Sequence, residues 1–191
     1  MTTLLEIHLF TVQDYHLMIE TGIIDEDEKV ELLTGQIVKM ASKGTAHNAA
    51  VKRTVELLQD RLGKSVLISV QDSIKLNDNS EPEPDIALLV RDPLYYEDRH
   101  PTPSEIYLII EIADTTLRKD CGIKAQIYAQ SGIIDYWVLD VNDRQLHVFR
   151  EPSQEGYKSE LILADSMTIS PLHFPDTSFI VSEMLRPLTT A

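Results

Sequence analysis

Positive charge is scarce in this sequence: 17 lysines and arginines stand against 31 aspartates and glutamates, a formal charge of −14. That balance excludes a general coat on a polyanion, because the summed field repels phosphate. Contact with nucleic acid would need a local basic patch and a metal ion. Cysteine is nearly absent. Cys121 is alone and can form no internal disulfide, which points to a reducing compartment, the cytoplasm. Long hydrophobic runs are missing too. Residues 86–90 and 106–110, about five apolar residues each, fall far short of the roughly 20 that span a bilayer, so no membrane association is expected. The first ten residues carry no basic segment, and Glu6 and His8 interrupt their apolar stretch; this is a poor signal peptide. Glycine is sparse, at 7 residues, and falls mostly where turns are wanted. No repeat, low-complexity tract or linker is visible, so residues 1–191 read as one domain. At that length folding hides roughly 70% of the unfolded chain's surface, enough core to need no covalent staple.

Apolar spacing and turn residues supply an element order. A helix over 11–21 has Thr11 as N-cap, Asp14 three residues on and Gly22 beyond its end. Strands over 30–33 and 36–40 flank a tight Thr34-Gly35 turn. Val51, Val55, Leu58 and Leu62 recur at helical spacing over 45–62, and Gly63 follows. Strands are expected over 66–70, 73–76, 86–90, 106–113, 134–139, 145–149 and 157–163. A helix is expected over 119–131, and the tail reads as a strand and a short helix near 182–185. Strands interleaved with a few helices give an α+β (mixed α/β) class, with a central mixed sheet packed by helices and β-hairpins.

Three features carry possible chemistry. Pro84-Asp85 opens one apolar strand, Glu111 interrupts another, and Lys124 lies four residues after Asp120. A charge inside an apolar strand is costly unless it is paired or holds a metal. By alternation Glu111 shares a face with Ile109 and Ala113. The helix after Glu111 turns back from the strand's carboxyl end, so Lys124 can reach it. Two carboxylates and a backbone carbonyl suit Mg²⁺, and a lysine beside them can orient an attacking water on a phosphodiester. The bland alternative is a structural Glu111–Lys124 salt bridge, with Asp85 as turn punctuation.

These residues resemble the PD-(D/E)xK nuclease superfamily and, more closely, its Uma-type restriction endonuclease family. The resemblance runs through Val30-Glu31-Leu32-Leu33-Thr34-Gly35-Gln36-Ile37-Val38, His47, Glu83-Pro84-Asp85-Ile86-Ala87 and Leu108-Ile109-Ile110-Glu111-Ile112. It continues with Asp120, Lys124, Tyr128 and Gly132, then Asp135-Tyr136-Trp137-Val138-Leu139-Asp140. Two departures are visible: Ala113 stands where the superfamily's simple motif has lysine, and Thr34 where the family more often has an acid. The resemblance implies a restriction-endonuclease-like core. Asp85, Glu111 and the Ile112 carbonyl would hold Mg²⁺ or Mn²⁺, and Lys124 would be the catalytic lysine carried on a helix. Glu31 would add a metal contact or fix the site.

His47, Gln71 and Asp120 are supporting candidates. Each has a plain reading: a satisfied buried histidine, an edge residue, and an i,i+4 partner of Lys124. Six basic residues lie between Lys39 and Lys64. Lys43, Lys52, Arg118 and Lys119 are the candidates for meeting phosphates. No DNA-reading module appears, so nothing in the sequence supports sequence specificity. The expected activity is Mg²⁺-dependent hydrolysis of phosphodiester bonds, in DNA, by a homodimer such as the family often forms. The alternative is a nuclease-fold binding or regulatory module without catalysis.

Overall fold

The computed structural model describes residues 7–25 and 27–188. Six strands form the central sheet in the order β3-β4-β5-β6-β7-β8: β3 Leu67–Val70, β4 Ile86–Leu89, β5 Ile106–Ala113, β6 Asp135–Asp140, β7 Gln145–Ser153 and β8 Gly156–Ala164. Only β5 and β6 pair in parallel; the other neighbours are antiparallel. A parallel pair needs a crossover, and here it is helical: α3 Leu117–Lys119, a π-helical turn Asp120–Lys124, and α4 Ala125–Gln130. The expected helix over 119–131 is therefore present but interrupted.

The two faces of the sheet differ. Leu108, Ile110, Ile112, Ile86, Leu88, Trp137 and Leu139 pack on one side beneath α2 (Thr45–Leu62) and α5 (Val181–Met184). Ala50, Val51, Leu58 and Leu62 of α2 face this layer, as their helical spacing requires. On the other side Ile109, Ala113, Ala87, Tyr136 and Val138 meet Ala125, Ile127 and Tyr128 of the crossover. Each fully buried Leu, Ile or Val contributes roughly 1.5–3 kcal/mol. Trp137 and Tyr136, adjacent in sequence, are both fully buried and lie on opposite faces.

A smaller unit caps one end. Helix α1 (Val12–Glu20) begins at Thr11, whose side chain accepts from the Asp14 backbone N–H while Asp14 reaches back to the Thr11 backbone. It packs Val12 and Tyr15 onto Leu32 of the hairpin β1 (Val30–Leu33) and β2 (Gln36–Lys39). The hairpin turn needs two left-handed residues, Thr34 at φ 50° and Gly35 at φ 77°. A Cβ on Gly35 would lie 2.6 Å from the Leu9 Cβ, so glycine is required there. Near the other end of the chain β9 (Thr168–Ile169) pairs with β10 (Phe179–Ile180).

One expected strand is absent. Residues 73–76 bury Ile74 and Leu76 but form only scattered bonds, Ile74 N–H to the Pro82 carbonyl and Leu76 N–H to the Ser80 carbonyl. The facing segment contains Pro82 and Pro84, which have no N–H to return, so no ladder can form.

Candidate active site

Pairing Ile86 with Ile110 brings Asp85, one residue earlier, opposite Glu111, one residue later. The Asp85 backbone N–H donates to Glu111 Oε2 at 3.4 Å. Both carboxylates are almost wholly buried, at 5% and 3% exposure. Asp85 Oδ2 accepts from the Ile112 N–H at 3.0 Å and lies 2.9 Å from His47 Nε2. Its Oδ1 accepts from Gln71 Nε2 at 3.3 Å, with Lys43 Nζ at 3.8 Å. Gln71 reaches it from a left-handed conformation, φ 58°.

Glu111 Oε1 accepts from Lys124 Nζ at 2.8 Å and from the Tyr128 hydroxyl at 3.0 Å. Lys124 also lies 3.4 Å from Glu31 Oε2, and Lys119 donates to Glu31 Oε1 at 2.7 Å. Glu31, from β1, thus holds both lysines of the crossover. Asp120 is buried on the same turn but makes no ion pair with Lys124 among the described residues. The expected i,i+4 pair is corrected by the π turn, whose 120–124 backbone closes with the Ala125 N–H on the Asp120 carbonyl, and by stronger partners for Lys124. Such turns are frequent where a helix is adapted to a site.

Burial drives each titration first. It pushes the Asp85 carboxyl up, but the hydrogen bond and charge of His47, the Ile112 N–H and Lys43 outweigh it, leaving Asp85 below its ordinary value. Burial lowers His47, and the hydrogen bond and charge of Asp85 more than reverse that, leaving it above. Burial disfavours the Lys124 ammonium, but Glu111, Glu31 and Asp120 together raise it, so it stays charged. Glu111 goes the other way: burial pushes it up, opposed by Lys124 and reinforced by the charges of Asp85 and Asp120.

The cleft around these groups is lined by six carboxylates (Glu31, Glu83, Asp85, Glu111, Asp114, Asp120) and three lysines (Lys43, Lys119, Lys124). Buried negative charge in excess of its cations is what a divalent ion would offset. The cleft's space, about 50 Å³, has room for an ion and a few waters. Carboxylate oxygens are the donors that Mg²⁺ or Mn²⁺ takes, so Asp85 and Glu111, with Ile112 beside them, fit such an ion.

Asp85, Glu111, Ile112, Lys124, Glu31, His47, Gln71, Asp120, Lys43 and Lys119 therefore converge. Lys52 and Arg118 do not: both are exposed and outside the cleft lining. Lys52 lies five residues along α2 from His47, about 140° around the helix, and Arg118 points away as its neighbour Lys119 turns in. The basic run between Lys39 and Lys64 is also dispersed. Lys39 pairs weakly with Glu28 at 3.8 Å, and Arg61 binds Glu183 and the Ser178 carbonyl. Tyr128 was not among the sequence candidates, although it lies four residues after Lys124 on one helical face. Glu83 was likewise missed, two residues before Asp85; Lys43 binds it at 3.1 Å.

The chain matches the Uma2 family, described as "Putative restriction endonuclease", over residues 12–183. It belongs to that family. A crystal structure from Anabaena variabilis ATCC 29413, described as "a putative nuclease belonging to DUF820", superimposes with a TM-score of 0.65 at 15% identity. The match covers 86% of this chain and 94% of that one. At that identity the likeness establishes the fold, a restriction-endonuclease-like core built on the mixed sheet. No curated protein matches the chain. Among the described residues no helix is long and apolar enough to cross a membrane.

Proposed function

We infer that this Uma2 protein is a Mg²⁺- or Mn²⁺-dependent endonuclease that hydrolyses phosphodiester bonds in DNA. One observation carries the reading: Lys124 Nζ lies 2.8 Å from Glu111, the carboxylate that the β4–β5 register sets against Asp85. Asp85 and Glu111, with the Ile112 carbonyl, are the residues that would hold the ion. A divalent cation bound there supplies positive charge against the phosphate as negative charge develops on it. The chain's own groups do the rest. His47, Gln71 and the Ile112 N–H fix the Asp85 carboxylate in one orientation. Tyr128 and Lys124 fix Glu111. The Lys124 ammonium, held charged by three carboxylates, is placed to orient an attacking water and to stabilise the transition state. Lys43 and Lys119 line the cleft, which supports a role in meeting the flanking phosphates.

The lone, half-buried Cys121 supports a cytoplasmic setting, and the family resemblance supports a homodimer, which light scattering on the purified protein would test. The activity test is cleavage of supercoiled plasmid with Mg²⁺ or Mn²⁺, by wild type and Asp85→Ala, with single-stranded DNA and RNA as parallel substrates. Nicking by wild type that Asp85→Ala loses is the expected result. Equal cleavage by both removes the assignment. No cleavage of any substrate by either leaves the fold as a binding module.

A further inference from the structure

A second group of metal-ligating side chains stands outside the cleft. His16 on α1, Glu81 in the segment before β4, and His100 in the long loop before β5 each offer one ligand atom, and these atoms all lie within 4.8 Å of one another. His16 Nε2 is 2.7 Å from Glu81 Oε1, and His100 Nε2 is 3.9 Å from the same oxygen.

Glu81 is the unusual member. It is 3% exposed, and its other oxygen, Oε2, is buried without a hydrogen-bond partner. A buried acceptor left without a partner is costly, more so when charged. A cation is the simplest way to satisfy a carboxylate flanked by two imidazoles.

The frame around the three is held before any ion arrives. The Glu81 N–H donates to the Leu32 carbonyl at 2.8 Å. The His100 loop is pinned on both sides. Arg99 grips Glu105 through two bonds of 2.7 and 2.6 Å, and the Pro101 carbonyl accepts from the Lys75 N–H at 3.0 Å. Bonds of about 2.0–2.1 Å in a tetrahedral site place ligand atoms roughly 3.3 Å apart. The present spacings to Glu81 Oε1, 2.7 and 3.9 Å, bracket that value, and both imidazoles are half-exposed.

We propose that His16, Glu81 and His100 bind a first-row transition metal ion of the Zn²⁺ class, separate from the cleft and tying α1 to the 91–102 loop. Two imidazoles select against Mg²⁺, which takes oxygen ligands, and favour Zn²⁺, Co²⁺ or Ni²⁺. Three protein ligands leave a coordination position for water. This site does not depend on the cleft being a nuclease centre.

The test uses the full-length, metal-stripped protein, titrated with Zn²⁺ by calorimetry and with Co²⁺ by visible absorption. An Asp85→Asn, Glu111→Gln double variant removes the cleft's contribution. It is expected to keep one equivalent of Zn²⁺ and a Co²⁺ spectrum with nitrogen ligation. Adding His100→Ala, a change in an exposed loop, is expected to weaken that binding by more than about 100-fold, beyond what changes around a metal's ligands cost. Glu81→Gln is expected to do the same, with circular dichroism verifying the fold. Zn²⁺ binding of unchanged affinity in the His100→Ala background overturns the proposal, and so does absence of binding in the cleft double variant.

Discussion

The two faces of the central sheet are built from the same strands by opposite rules. Under α2 the strands present apolar side chains: Leu108, Ile110, Ile112, Trp137 and Leu139 form a dry layer. One residue along each strand, the other face carries Asp85 and Glu111, with Lys124 and Tyr128 folded over them. The dry face earns its stability from area buried. The charged face takes carboxylates out of water, and the attraction among its charges offsets that cost only in part. The difference shows that one ladder can be stable because of one face and in spite of the other. Stability and activity should therefore separate by face.

The largest effect should come from the charged face and appear in activity. Glu111→Gln should lower metal-dependent cleavage more than about 100-fold, roughly 2.7 kcal/mol of barrier, while the melting temperature of the metal-free protein holds or rises. Asp85→Asn should lower cleavage as much but also lower the melting temperature, because His47 loses its charged partner. Trp137→Ala should invert that pattern, costing about 3–5 kcal/mol in denaturant unfolding while leaving cleavage per folded molecule unchanged. A Trp137 variant that loses activity but not stability would break the comparison. Lys124→Met leaves buried carboxylates without their main cation. It should cost about 2–3 kcal/mol, somewhat under the usual 3–5 for an orphaned buried ion, because Glu111 takes up a proton. It should also abolish cleavage, and adding Glu111→Gln should recover stability but not activity.

A smaller pH effect sharpens the same contrast. The Asp85 contribution exists above its ordinary value of 3.8 and fades as pH falls through its lower folded value. The His47 contribution exists below its ordinary value of 6.5 and fades as pH rises through its higher folded value. The metal-free pair therefore stabilises most between these two limits, and His47→Gln should flatten the stability profile across them in pH-dependent melting. Thr11→Ala touches neither face and should cost about 1 kcal/mol by loss of the α1 cap, measured by chemical denaturation.

Much of this arrangement was legible in the sequence, and the reason differs by element. Helix α2 was read to its ends because its apolar spacing and Gly63 are local signals, and β5 because its eight residues are almost uninterrupted apolar chain. Glu111 identified itself as a charge within that strand. The π turn at Asp120–Lys124 has no periodic signature, since it is set by what Lys124 must reach. Residues 73–76 alternate like a strand, but the prolines that deny them a ladder lie in the facing segment. Lys52 and Arg118 could not be told from Lys43 and Lys119 by charge alone: helix phase separates Arg118 from Lys119, and Lys43 reaches the cleft from the segment before α2 while Lys52 lies on its exposed side. His16, Glu81 and His100 share no spacing, because the chain brings them together from three different elements.

The lysines of the crossover are held by a residue from the first hairpin, and the Lys119–Glu31 bond joins positions 88 residues apart. Closing a loop that long carries a larger entropy cost than forming a local helix or hairpin. Strand β1 precedes α3 in the chain, so Glu31 has no crossover lysine to bind until the later segment is in place. The cleft is therefore complete only once that 88-residue separation is closed, and a chain without its crossover carries Glu31 and Glu111 without the lysines that bind them.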